Sequence, residues 1–247
     1  MKKIAFTLSE ILISLTVIGI IAAITIPALI TNYQKAQTIE QLKESYSILN
    51  SALISAREQN GNDINAWYVP NTSSAAASTY FAETYIIPYI KTINVCGTST
   101  SAACRFDDGY LRNGTYPTNS YMTISGAPWG YSFTMPNGTI ALIYLQTPGG
   151  TTVKESRAQV YFDINGKKKP NIMGKDGFLL ELGGWVADKN KLFQPYAYSP
   201  SSTRVNYFGN TIEGGDINGC NKIYGNGTRC FALILHDGWK ISDDYPW

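Results

Sequence analysis

Residues 11–30 read ILISLTVIGIIAAITIPALI, twenty positions without a charged side chain. As a helix rising 1.5 Å per residue they cover about 30 Å, the thickness of a bilayer's hydrocarbon core. Before them stand MKKIA (residues 1–5) and then Phe6, Thr7 and Leu8. Lys2 and Lys3 favour the cytoplasmic side, which sends the rest of the chain outward. A removable secretory signal peptide would end its short apolar region at a small-residue cleavage site. Here the apolar run passes instead into a helical pattern, with Ile39, Leu42, Tyr46, Leu49, Leu53 and Ala56 at steps of three and four. That is the stripe of a helix with one apolar face, and Gly61 supplies a stop signal. One helix is expected from about Phe6 to about Gln59. Its first half is apolar all round and membrane-spanning over residues 8–30; its second half is amphipathic.

Glu10 is the anomaly in this helix, the one charged side chain between Lys3 and Lys35. A carboxylate in an apolar span costs about 2.5–3.5 kcal/mol at mid-helix, and less near the helix start, where the macrodipole favours negative charge. Either it is tolerated at the interface or it awaits a cationic partner, and intramembrane charge favours the second reading. Cleavage after Ala5 would create an ammonium on Phe6, a turn away in the same helix. Between neighbouring helices the same two groups would set register.

The stretch KIA-FTLSEILISLTVIGIIAAITIPAL resembles the N-terminus of type IV pilins and type II secretion pseudopilins. The resemblance implies that a prepilin peptidase cuts between Ala5 and Phe6 and that Phe6 becomes N-methylated. It makes Glu10 the assembly carboxylate. Gly19 and Pro27 match positions where such helices loosen inside filaments. The residue types agree, since Gly lowers helix propensity and Pro removes a backbone donor. The chain departs from the family pattern at Ala5, where Gly is usual.

Beyond the helix, residues 60–80 read as a connection, with Gly61, Pro70 and a Ser/Ala/Thr stretch over 72–79. Residues 80–93 suggest a short helix ending near Ile87, ahead of Pro88, and residues 96–129 are loop-rich. The period then changes to two. Residues 129–135 and 139–146 flank Pro136-Asn137-Gly138 and read as a β-hairpin. Residues 158–164 read as a third strand and 178–182 as a fourth short element. Residues 231–235 and 239–241, around Asp237-Gly238, suggest a further hairpin. The expected fold is α+β: a long N-terminal helix packed on an antiparallel sheet, which is the pilin-like arrangement. The division is a leader (1–5), the helix (6–59) and a globular head (60–247). The ending KISDDYPW resembles one branch of pilin-like proteins.

Composition narrows the function classes. The 247 residues suit one domain, or one domain with an appendage. Charged residues are 15% and the formal net charge is +2, so no basic footprint for nucleic acid is present. The densest basic run, Lys167 to Lys169, lies in a turn-like segment. The four Cys (Cys96, Cys104, Cys220, Cys230) lack CxxC spacing, and an even count behind an export element reads as disulfides. Of three pairings the local ones are favoured, Cys96–Cys104 and Cys220–Cys230.

The catalytic inventory is thin. His236 is the lone His, which excludes zinc sites built on several His, and no GxSxG or GxxxxGK[ST] occurs. Asp163, Asn165 and Asp176, with Asn171 and Gly174 nearby, give oxygen ligands beside a Gly turn, as Ca²⁺ requires. They lack the spacing and final Glu of an EF-hand, and an Asx-rich turn stabilised by its own side chains is the competing reading. Some secretion pseudopilins hold Ca²⁺ in a C-terminal loop. The expected protein is not an enzyme but a filament subunit with no required cofactor. Its partners are like subunits, the peptidase, an assembly ATPase and platform protein, and the bacterial inner membrane. Its head lies outside the cytoplasm, in a cell-surface or periplasmic filament after assembly. The alternative is a monomeric membrane-anchored binding module.

Overall fold

A computed structural model describes residues 7–98, 104, 111–115, 129–146, 150–153, 156–182, 192–209 and 217–247. The chain divides into two compact units, Met1–Thr38 and Ile39–Trp247. The helix expected from the sequence is present as α1 (Leu8–Asn60), and it contributes to both units. It stops at Gly61, which sits at φ +93°, a conformation that suits a residue without Cβ.

Within the first unit α1 is long and apolar enough to cross a membrane, and its apolar window is unburied. Ile13, Leu15, Ile18, Ile24 and Leu29 each expose more than half of their surface. An apolar surface of this extent is far beyond what a soluble monomer leaves uncovered.

In the second unit the remainder of α1 turns one stripe inward. Ile39, Leu42, Leu49, Leu53 and Ala56 are buried in the main core, with Ser45 between them. Tyr46 meets the rings of Phe231 and Trp239 edge-on or tilted, at 5.6 and 5.7 Å.

The sheet is a meander of six antiparallel strands, β1 (Asn94–Gly97), β2 (Tyr131–Thr134), β3 (Ile140–Gln146), β4 (Arg157–Asp163), β5 (Gly177–Leu182) and β6 (Gln194–Pro195), hydrogen-bonded in chain order. Alternate residues go to opposite faces. Phe133, Ile143, Val160, Phe162, Phe178 and Leu180 join the main core, while Ile140, Leu142, Tyr161 and Leu179 pack with Met173 and Cys104 in a second cluster. Both faces are therefore covered over the central strands. The β2–β3 hairpin closes through Gly138 at φ +84°, and Asn137 Oδ1 accepts from Thr139 N at 3.2 Å. A polar latch joins α1 to this turn. Ser45 Oγ lies 2.8 Å from Thr139 Oγ1 and accepts from Asn137 Nδ2 at 3.0 Å.

Three local expectations are corrected. The stretch 72–79, expected as a connection, opens α2 (Ser74–Tyr85). Ser73 caps it, accepting from Ala76 N at 3.2 Å, and Ala77, Phe81, Ala82 and Tyr85 form its buried face. Alanine is the strongest helix former, and the cap supplies the start. The expected C-terminal hairpin is instead α4 (Cys230–His236), buried over Cys230–Ile234. Gly238 and Trp239, at φ +73° and +62°, end this helix rather than turning a hairpin. The loop-rich region from residue 96 begins inside a strand, β1, that residue pattern did not signal. A short α3 (Arg204–Phe208) was likewise unmarked. Both local disulfides are formed, Cys96–Cys104 and Cys220–Cys230, with Cα separations of 6.1 and 4.7 Å.

Candidate functional site

Ala5 and Phe6, the expected processing junction, lie outside the described residues. The first described residue, Thr7, caps α1. Glu10 Oε2 accepts from Thr7 N at 2.8 Å and from Thr7 Oγ1 at 2.7 Å, while Glu10 N donates to Thr7 Oγ1 at 3.3 Å. This is a capping box, a reciprocal exchange that satisfies donors otherwise orphaned at a helix start. The T-x-x-E spacing of Thr7 and Glu10 carries that signal in the sequence, beside the charge that marks Glu10 alone.

Further along α1, hydroxyl groups in the apolar segment bond within the helix. Ser14, Thr16, Thr25 and Thr31 each donate to the carbonyl four residues back, at 2.8–3.0 Å. Their polarity is thus satisfied without a partner helix or water, as an apolar medium demands. Gly19 and Pro27 both lie inside continuous helix. A Cβ placed at Gly19 would meet nothing within 4 Å, so the glycine is not required by close packing within this chain.

In the head, the structure brings Asp163, Asn165 and Asp176 together where β4 ends and the chain returns to β5. Asn165 N donates to Asp163 Oδ1 at 3.0 Å, and Asn165 Nδ2 donates to Asp176 Oδ2 at 3.1 Å. Asp176 also accepts from Asn171 N at 2.9 Å and from Ile172 N. Burial, reinforced by the charge of Asp176, pushes the Asp163 carboxyl well above its ordinary value; burial raises Asp176 too. Arg112, itself buried, places a positive charge near Asp176. The Asp163 and Asp176 carboxylates are thus engaged by donors of their own turn, the pattern of a self-stabilised Asx turn, while the buried Asn165 Oδ1 has no hydrogen-bond partner among the described residues. Among the described residues no group of three or more His, Cys, Asp or Glu is arranged to hold a metal ion.

His236 ends α4 with Nδ1 3.4 Å from Asp237 Oδ1. Asp237 is engaged by Arg204 Nε at 2.8 Å and by Ser242 Oγ at 3.0 Å, and Arg204 also binds Asp244. A Ser-His-Asp relay needs His between Ser and Asp. Here Ser242 donates to the carboxylate directly, and the group ties the C-terminal tail to α3. Tyr245 makes a second tie through its hydroxyl to Gly174 O, beside the Cys220–Cys230 bridge.

Comparison with known proteins adds one relationship. A family model described as a family of unknown function, DUF6613, matches residues 28–247. The matched region begins just after Pro27 and leaves the basic leader and Glu10 outside it. No curated protein and no solved structure matches the chain. With the match covering the whole of the head and more than half of α1, this chain belongs to DUF6613.

Proposed function

We propose that this protein is a pilin- or pseudopilin-like subunit of a type IV pilus or type II secretion filament. The observation that carries the reading is the first unit: a helix apolar on every side, with one carboxylate three residues after its capping Thr7 and a dibasic leader before it. In lipid such a surface is solvated by acyl chains. Outside lipid it needs like helices around it. A filament provides that burial, and an ammonium on Phe6 of one subunit would neutralise Glu10 of another as both leave water.

In this reading prepilin peptidase cuts between Ala5 and Phe6, and Phe6 is N-methylated. The subunit waits in the bacterial inner membrane with its head on the oxidising side, where Cys96–Cys104 and Cys220–Cys230 form. An assembly ATPase and platform protein then add it to the filament. The protein acts as a structural element and not as a catalyst.

Glu10→Ala tests the reading. The variant should insert in the membrane at normal level and yield far fewer filaments in the sheared fraction. Filaments at wild-type yield would refute the pairing. Wild-type protein recovered only as membrane-bound monomer would favour an anchored binding module.

A further inference from the structure

The two carboxylate oxygens of Glu10 have different surroundings. Oε2 holds two donors from Thr7, the backbone N–H at 2.8 Å and the hydroxyl at 2.7 Å. Among the described residues nothing bonds Oε1. The same hydroxyl oxygen accepts Glu10 N at 3.3 Å, so Thr7 both starts the helix and fixes the glutamate rotamer. A free glutamate samples several rotamers, and ordering it at the moment of docking costs affinity. One already held by its own helix docks without that cost.

We propose that Thr7 is the positioning residue for the assembly carboxylate, holding Glu10 by Oε2 so that Oε1 remains for a cation on a neighbouring subunit. The inference rests on the filament reading of Glu10. It adds that the carboxylate is pre-set before assembly, by a residue that will be second in the processed chain.

Three substitutions separate positioning from capping. Thr7→Ser keeps the hydroxyl, and filament yield should match wild type. Thr7→Val keeps shape and the backbone donor but removes the hydroxyl. Thr7→Asp keeps a strong N-cap, so the helix still starts, but it offers Glu10 a like charge in place of a donor. Filaments are measured in the sheared fraction per processed subunit, with the N-terminal mass confirming processing. Thr7→Val and Thr7→Asp should each yield roughly tenfold fewer filaments, the order of effect of one charge-assisted hydrogen bond. Wild-type yield from Thr7→Val would overturn the proposal. So would wild-type yield from Thr7→Asp, because capping alone would then suffice, or a loss confined to processing. Glu10→Ala distinguishes the levels. If it assembles normally, the filament reading of Glu10 fails; if it is impaired while Thr7→Val is normal, only the role of Thr7 fails.

Discussion

Truncating Leu49 tests whether the second half of α1 is core or merely a stalk. Leu49 is fully buried, one of the α1 residues in the main core cluster, in the stripe that also carries Tyr46 against Phe231 and Trp239. Leu49→Ala removes three buried carbon atoms and leaves a cavity that a packed core fills only in part. Such changes cost about 2.7–5.0 kcal/mol, with about 3 kcal/mol a fair expectation where neighbours relax somewhat. For a unit of this size each kcal/mol lowers Tm by about 2–4 °C, so the variant should melt roughly 6–12 °C lower. The assay is the near-UV circular dichroism melt of the full chain in detergent, which reads the half-buried Trp239 and the buried Trp67. Ile18→Ala is the control. Ile18 is 62% exposed in the first unit, and the head signal should move by less than about 0.5 kcal/mol. If Leu49→Ala shifts the melt no more than Ile18→Ala, the stripe is not part of the head and the packing account fails.

Other outcomes follow from the same contacts. Ser45→Ala strips the latch from the buried Thr139, whose hydroxyl keeps only a long bond to Ile164 O at 3.5 Å, and from the partly buried Asn137, and should destabilise the head by about 1–3 kcal/mol in a denaturant titration. Gly174→Ala places a Cβ against Cys230 Sγ at a backbone φ of +79°, so it should lower the yield of folded protein and leave free thiols in a thiol titration. At Asp237 burial raises the carboxyl, but hydrogen bonds from Arg204, Ser242 and His236 outweigh it; at Asp244 the Arg204 and Ser242 bonds hold the value down to about 2. Because these folded values lie below the ordinary carboxylate value of about 4, their stabilisation is present above that pH and is lost as pH falls toward 2. Limited proteolysis of the C-terminal tail should therefore accelerate over that window, and Arg204→Gln should remove the dependence. Chelation of divalent cations should leave the head's Tm within about 1 °C, because Asp163 and Asp176 are engaged by donors of their own turn; a clear fall would place Ca²⁺ there.

The long elements were legible because period and length reinforce one another. Twenty uncharged residues running on into about five turns of apolar stripe leave little room for a reading other than α1, and Pro136-Asn137-Gly138 between alternating runs leaves little other than a hairpin. The misreadings are short segments without a period. Five apolar residues over 231–235 suit a buried strand or a buried helix equally, and only the enclosing core decides for α4. Ala and Ser over 74–78 look like linker composition, yet they form a capped helix once Phe81 and Tyr85 have a surface to bury against. At the candidate sites, Glu10 was visible as a charge in the wrong medium, and the Asp163–Asn165–Asp176 turn as an Asx pattern. Arg112 and the Arg204–Asp237–Asp244 tie were not, because their partners are far away in sequence and only the fold brings them close.

The central claim, that the apolar half of α1 serves a processed and polymerised subunit, is tested most directly by the intact mass of the protein sheared from cells. The account predicts polymers whose subunit lacks residues 1–5, begins at Phe6 and carries one added methyl group. An intact Met1 in the polymer, or no polymer at all, would contradict it.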